Sequence, residues 1–115
     1  MASVYNATID QGADWYVNFT YQDSTGTAIN LTGYTAAMQL RAPTDSNIAS
    51  LSLTSPSGGI TITAATGLVA VHATAAQTGA LIDGVYEYDL ELTSSIGIVT
   101  RLVQGQITIS PQVTR

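Results

Sequence analysis

The chain of 115 residues carries eight acidic residues against three arginines, with no lysine, one histidine and no cysteine. That length suits one domain with one core, of a size that buries roughly two-thirds of its unfolded surface. Lack of cysteine excludes a disulfide framework, a thiolate zinc site and a cysteine nucleophile, and a formal charge of -5 without lysine leaves no basic face for nucleic acid or an anionic membrane.

Met1 to Asp10 has neither the basic nor the apolar segment of a secretory signal. The longest uninterrupted apolar run, Leu68 to Val71, falls far short of the ~20 residues that cross a bilayer. Synthesis in a cytoplasm is the expectation. Seventeen threonines and ten serines favour strands and turns over helices. The clearest strand is Trp15 to Tyr21, in which Trp15, Val17, Phe19 and Tyr21 share one face and Asn18 and Thr20 take the other. Asp23 to Thr27 is a turn, and Asn30-Leu31-Thr32-Gly33-Tyr34 a second corner leading into a strand over Thr35 to Arg41. Pro43 and the polar run Thr44 to Asn47 end that strand. A weaker strand is expected within Ile48 to Leu53, followed by a loop at Ser55 to Gly59. Ile60 to Thr63 and Leu68 to Ala73 read as a hairpin around Ala64 to Gly67. Thr74 to Leu81 can make a helical turn, which Gly79 cuts short. Val85 to Thr93 and Ile98 to Gly105 are strands joined around Ser95-Ile96-Gly97, and Gln106 to Ile109 continues as a last strand up to Pro111. Seven to eight short strands at this spacing predict an all-β fold, an antiparallel sandwich or barrel, and the chain reads as one module over residues 1–115 with nothing appended.

Asp83-Gly84-Val85-Tyr86-Glu87-Tyr88 is the most informative local motif. Immunoglobulin-type sandwiches place a tyrosine at the start of strand F, where its hydroxyl bonds back to the backbone and holds the preceding crossover. Tyr86 suits that role, with Asp83 and Gly84 forming the corner before it, and Tyr88 falls where an antibody domain has its second cysteine. The aspartate lies one residue closer to the tyrosine than in antibody domains, and Trp15 comes too early to be their strand-C tryptophan. The fold expected is therefore an immunoglobulin-like antiparallel sandwich outside the antibody superfamily.

On the same strand Glu87, Asp89 and Glu91 form a stripe opposite the Tyr86, Tyr88, Leu90 and Leu92 face. Carboxylates two residues apart on a flat strand spread over ~13 Å, whereas a calcium loop needs them converging from a tight turn. The stripe reads as a solvated face eased by Arg101 on the next strand. His72 is a lone histidine between Val71 and Ala73, no Gly-x-Ser-x-Gly elbow exists, and Gly58-Gly59 lacks the Gly-Lys-Ser/Thr of a phosphate loop. Asn6, Asn18 and Asn30 head Asn-x-Thr triplets, which matter only in a secretory route. No catalytic, cofactor-binding or metal-ligating residue is expected, no cofactor is expected, and the chain does not read as an enzyme.

The series Gln11-Gly12-Ala13-Asp14-Trp15, Asn30-Leu31-Thr32-Gly33-Tyr34, Asp83-Gly84-Val85-Tyr86-Glu87-Tyr88 and Arg101-Leu102-Val103-Gln104-Gly105, in that order, resembles small virion structural proteins of tailed bacteriophages. The Leu-Thr-Gly-Tyr corner followed by a Gly-x-Tyr strand is similar to the N-terminal sandwich of phage baseplate upper proteins. In those proteins the sandwich attaches a longer receptor-binding part, whereas this sequence stops at Arg115. The resemblance implies an adaptor or attachment module in the tail, neck or baseplate that docks on other phage structural proteins, as a homo-oligomer or in copies on a symmetric ring, without nucleic acid or membrane insertion. It implies a virion location after synthesis in the host cytoplasm, and no catalytic residues. Tyr16 and Tyr34 are the candidate contact residues. Two other readings stay open: a capsid cement protein, and a carbohydrate-binding or adhesin domain stacking sugars on Trp15 and the tyrosines.

Overall fold

The computed structural model describes residues 3–42, 51–55 and 58–113. Nine strands follow in chain order: β1 (Ser3–Val4), β2 (Ala7–Asp10), β3 (Trp15–Thr20), β4 (Thr35–Arg41), β5 (Leu51–Thr54), β6 (Ile60–Thr63), β7 (Leu68–Ala73), β8 (Gly84–Thr93) and β9 (Val99–Ser110). A 3-10 turn at Ala64–Thr66 joins β6 to β7, and α1 (Ala75–Gly79) lies between β7 and β8. The expected strand residues 48–50, the polar run after Pro43 and the middle of the 55–59 loop lie outside the described residues.

Two sheets form. The first has six strands in the order β1-β9-β8-β4-β5, with β2 following β1 along the same edge of β9, and the second has three in the order β3-β7-β6. Period-two patterning sets which face each strand buries. Met38 and Leu40 of β4, Leu53 of β5, Leu90 and Leu92 of β8, and Ile107 and Ile109 of β9 point inward from the first sheet. Ile60, Val69 and Val71 point inward from the second, and Trp15, Val17 and Phe19 of β3 pack half-buried against the same core. The two inner faces thus make one apolar core, and Trp15 packs half-buried against it.

Three features depart from the sequence reading. The sheet is not wholly antiparallel, because β1 and β2 run parallel to β9, Ser3 opposite Val103 and Ala7 opposite Ile107. The strands are not all short, since β8 spans 10 residues and β9 runs unbroken through 12. Finally, Ser3 to Asp10, which has no strand expectation in the sequence, supplies two of the nine strands.

Local chemistry explains the connections. Asp23 accepts hydrogen bonds at one carboxylate oxygen from the Thr25 hydroxyl and from the backbone N–H groups of Thr25 and Thr27, closing the turn after β3. Those bonds, the Thr25 hydroxyl first, hold its carboxyl below the ordinary carboxylate range. Gly67 ends the 3-10 turn at φ 65°, and a Cβ there would meet the Tyr21 and Ile29 carbonyl oxygens at 2.7 and 2.8 Å. Only glycine combines that backbone with that approach. Thr74 starts α1 with a capping box: its hydroxyl accepts from the Gln77 N–H while the Gln77 side chain accepts from the Thr74 N–H. Thr78 of α1 is the buried polar side chain of the described residues; its hydroxyl donates within reach of the Ala13 and Ala75 carbonyls and accepts from the Gly12 N–H, fastening the β2–β3 loop to the helix.

Candidate functional site

β8 sets the outer face of the large sheet. Because Tyr86, Tyr88, Leu90 and Leu92 are buried, Glu87, Asp89 and Glu91 are turned outward, flanked by Arg41 and Gln39 on β4 and Gln106 and Gln104 on β9. Arg101 reaches this face through a bulge. Leu90 pairs with Val103 but Glu91 pairs with Arg101, so Leu102 is an extra residue on β9. Without that residue's shift in phase Arg101 would point at the core; with it, the guanidinium Nε lies 3.3 Å from Asp89 Oδ2 and Nη1 donates to Gln104 Oε1 at 3.0 Å. Leu102 itself packs half-buried against the core. The result is a shallow open depression of about 690 Å³ with mixed charge. Among the described residues, no three histidine, cysteine, aspartate or glutamate side chains come together as a metal site.

The outer face of the small sheet is different. Tyr16 on β3 lies opposite His72 on β7, and their rings stack with centroids 4.2 Å apart and planes 7° from parallel. Asp14 Oδ1 lies 3.4 Å from His72 Nε2 and accepts from the Ala75 N–H at 2.9 Å. Tyr16 is 69% exposed, so of the two expected contact tyrosines it is the one on the surface. Tyr34 is half-buried and packs against the core at the corner before β4, where the Tyr34 N–H donates to the Leu31 carbonyl.

The predicted corner residues meet at the start of β8. Asp83 and Gly84 are exposed, and the buried Tyr86 donates its hydroxyl to the Ile82 carbonyl at 2.6 Å, four residues upstream. Tyr88 makes a second such bond, 2.6 Å to the Tyr5 carbonyl between β1 and β2. It can do so because its cross-strand partner is Gly105, where any Cβ would collide with that same carbonyl oxygen. Burial, with Tyr5 nearby as a lesser cause, pushes the Tyr88 phenol up to about 12.

Sequence reading overlooks the two ends of the β8–β9 hairpin. At its tip Ile96, Ile98 and Val99 are 80%, 59% and 58% exposed. At the opposite end Ile82, Val85 and Val113 are also exposed. The signal for the first was present in Ile96-Gly97-Ile98-Val99, an apolar run in a turn where polar residues are the rule. Ten residues of β8 separate the two ends by about 30 Å. Among the described residues these side chains stand outside the apolar core. No protein-family model matches the chain, and no curated protein is significantly similar to it.

Proposed function

We propose that this protein is a non-enzymatic structural component of a tailed-phage virion, an adaptor that docks on other particle proteins in the tail, neck or baseplate, with an immunoglobulin-like sandwich as its fold. The observation that carries the docking reading is the pair of exposed apolar ends on the β8–β9 hairpin. Contiguous exposed apolar side chains mark contact sites, and two of them at opposite ends of one stiff hairpin suit a part held between neighbours. Copies repeated about the particle axis would use the same two patches on every copy. The ordered motif series from Gln11 to Gly105 supports the phage assignment. For the fold, support comes from the order β9-β8-β4-β5 facing β3-β7-β6 and from the Tyr86 bond at the start of β8, the place of a tyrosine corner.

Cryo-electron microscopy of the intact particle tests the proposal. Density for this chain at the neck, tail or baseplate, with the Ile96–Val99 tip against a neighbour, is the expected result. Density spread over the capsid lattice makes it a cement protein, and absence from every particle overturns the structural reading.

A further inference from the structure

The outer face of the small sheet carries the features of a ligand site that docking through the hairpin ends does not use. We propose that the Tyr16–His72 face binds a neutral carbohydrate, with a pyranose ring against the aromatic pair and its hydroxyls on Asn18, Ser52, Thr54 and Thr61. These residues line an open depression of about 670 Å³, beside Gly58 and Gly59, which place no side chain in it.

Three observations point to that ligand class. First, the aromatic surface is exposed yet fixed. A lone surface tyrosine turns freely, but Tyr16 is stacked on His72, and His72 is in turn beside Asp14, which the Ala75 N–H holds in place. A sugar presents an apolar C–H face on one side of its ring, which a pre-set flat aromatic surface covers at little entropic cost. Second, the hydroxyls of Ser52, Thr54 and Thr61 and the amide of Asn18 make no side-chain hydrogen bond within the described residues, which leaves four groups on one face open to a ligand. Each can both donate and accept, the requirement for reading a sugar hydroxyl. Third, among the described residues the lining contains no lysine, arginine, aspartate or glutamate. Phosphodiesters and acidic polysaccharides need cationic partners, so the site selects against them and for an uncharged glycan.

The test titrates the purified protein with uncharged oligosaccharides (gluco-, galacto- and manno-oligomers and N-acetylglucosamine oligomers) and follows backbone amide shifts by NMR. Saturable shifts confined to β3, β5, β6 and β7 with at least one of these sugars are expected. Tyr16→Ala should weaken that binding at least tenfold and Tyr16→Phe should retain it, with both variants melting close to the parent because the ring is exposed. Asn18→Ala should weaken it several-fold. Absence of saturable shifts with every sugar overturns the proposal. So does binding that survives Tyr16→Ala, or binding seen only with acidic polymers and abolished by salt. None of these outcomes depends on where the protein sits in a particle.

Discussion

Tyr86, Tyr88 and Thr78 each hold a side-chain hydroxyl on a backbone carbonyl away from their own strand or turn. Tyr86 is buried with its hydroxyl on the Ile82 carbonyl, so Tyr86→Phe keeps the packing and removes only that bond. A loss of about 1 kcal/mol is expected, read as a lower urea midpoint with an unchanged slope. Thr78 has no exposed surface and binds the Gly12 N–H and the Ala13 carbonyl at once. Thr78→Val keeps the shape and leaves both groups without their partner, for a cost of roughly 2–3 kcal/mol by the same measurement. Tyr88 adds a pH dependence whose sign is fixed. Its phenol is held neutral to about pH 12 in the folded chain, whereas an unfolded tyrosine ionises near pH 10. The folded state therefore keeps a proton that the unfolded state has lost, and the stability this contributes below about pH 10 declines as the pH rises toward 12. The difference in urea midpoint between the parent and Tyr88→Phe should shrink across that window.

At the level of elements, alternation was legible wherever a strand is long enough to repeat it. Trp15 to Thr20, Thr35 to Arg41 and Val85 to Thr93 each alternate over six or more residues and each is a strand, the first and third with the expected face inward. The hairpin around Ala64 to Gly67, the helical turn cut short at Gly79 and the outward Glu87-Asp89-Glu91 stripe follow from the same local rules. β1 and β2 were not legible, because strands of two and four residues repeat no pattern and their partner β9 lies about a hundred positions away. What holds them is equally non-local: Tyr88 on the Tyr5 carbonyl, and Asn6 Oδ1 accepting from the Gln106 N–H where the backbone ladder is interrupted. The bulge had a signal in Leu102-Val103, two adjacent apolar residues in an otherwise alternating strand. Its geometry predicts the effect of removing it. Deleting Leu102 leaves Val103 opposite Leu90 and Arg101 opposite Glu91 in a regular ladder, so the deletion should fold with the Arg101–Asp89 pair intact. The cost is the packing of one half-buried leucine, roughly 1–2 kcal/mol. Thermal unfolding gives that figure, and loss of folding would mean that the bulge also shapes the sheet's twist.

For the molecule as a whole, the proposed docking role gives the hairpin ends a task separate from that of the core, and the two should separate on mutation. Ile96→Ser together with Ile98→Ser changes two exposed side chains, so stability should stay within about 0.5 kcal/mol of the parent, and the proposed adaptor role requires that incorporation into particles fall sharply. Counting copies per particle against an internal standard measures it. The low charge has a further effect: near the isoelectric point, about pH 4.2, repulsion between copies vanishes while the apolar ends remain exposed. Solubility should be lowest there and recover in the double serine variant. The parallel seam between β1–β2 and β9 also has a mechanical meaning. Tension applied between Ser3 and Ser110 pulls the two edges of that seam past each other along their length, since both run the same way and are tethered at opposite ends. Every bond from Ser3–Val103 to Asp10–Ser110 is then loaded together instead of opening one after another like a zip. A part built this way yields abruptly and at high force, and stretching a single molecule between Ser3 and Ser110 would read it as one sharp peak.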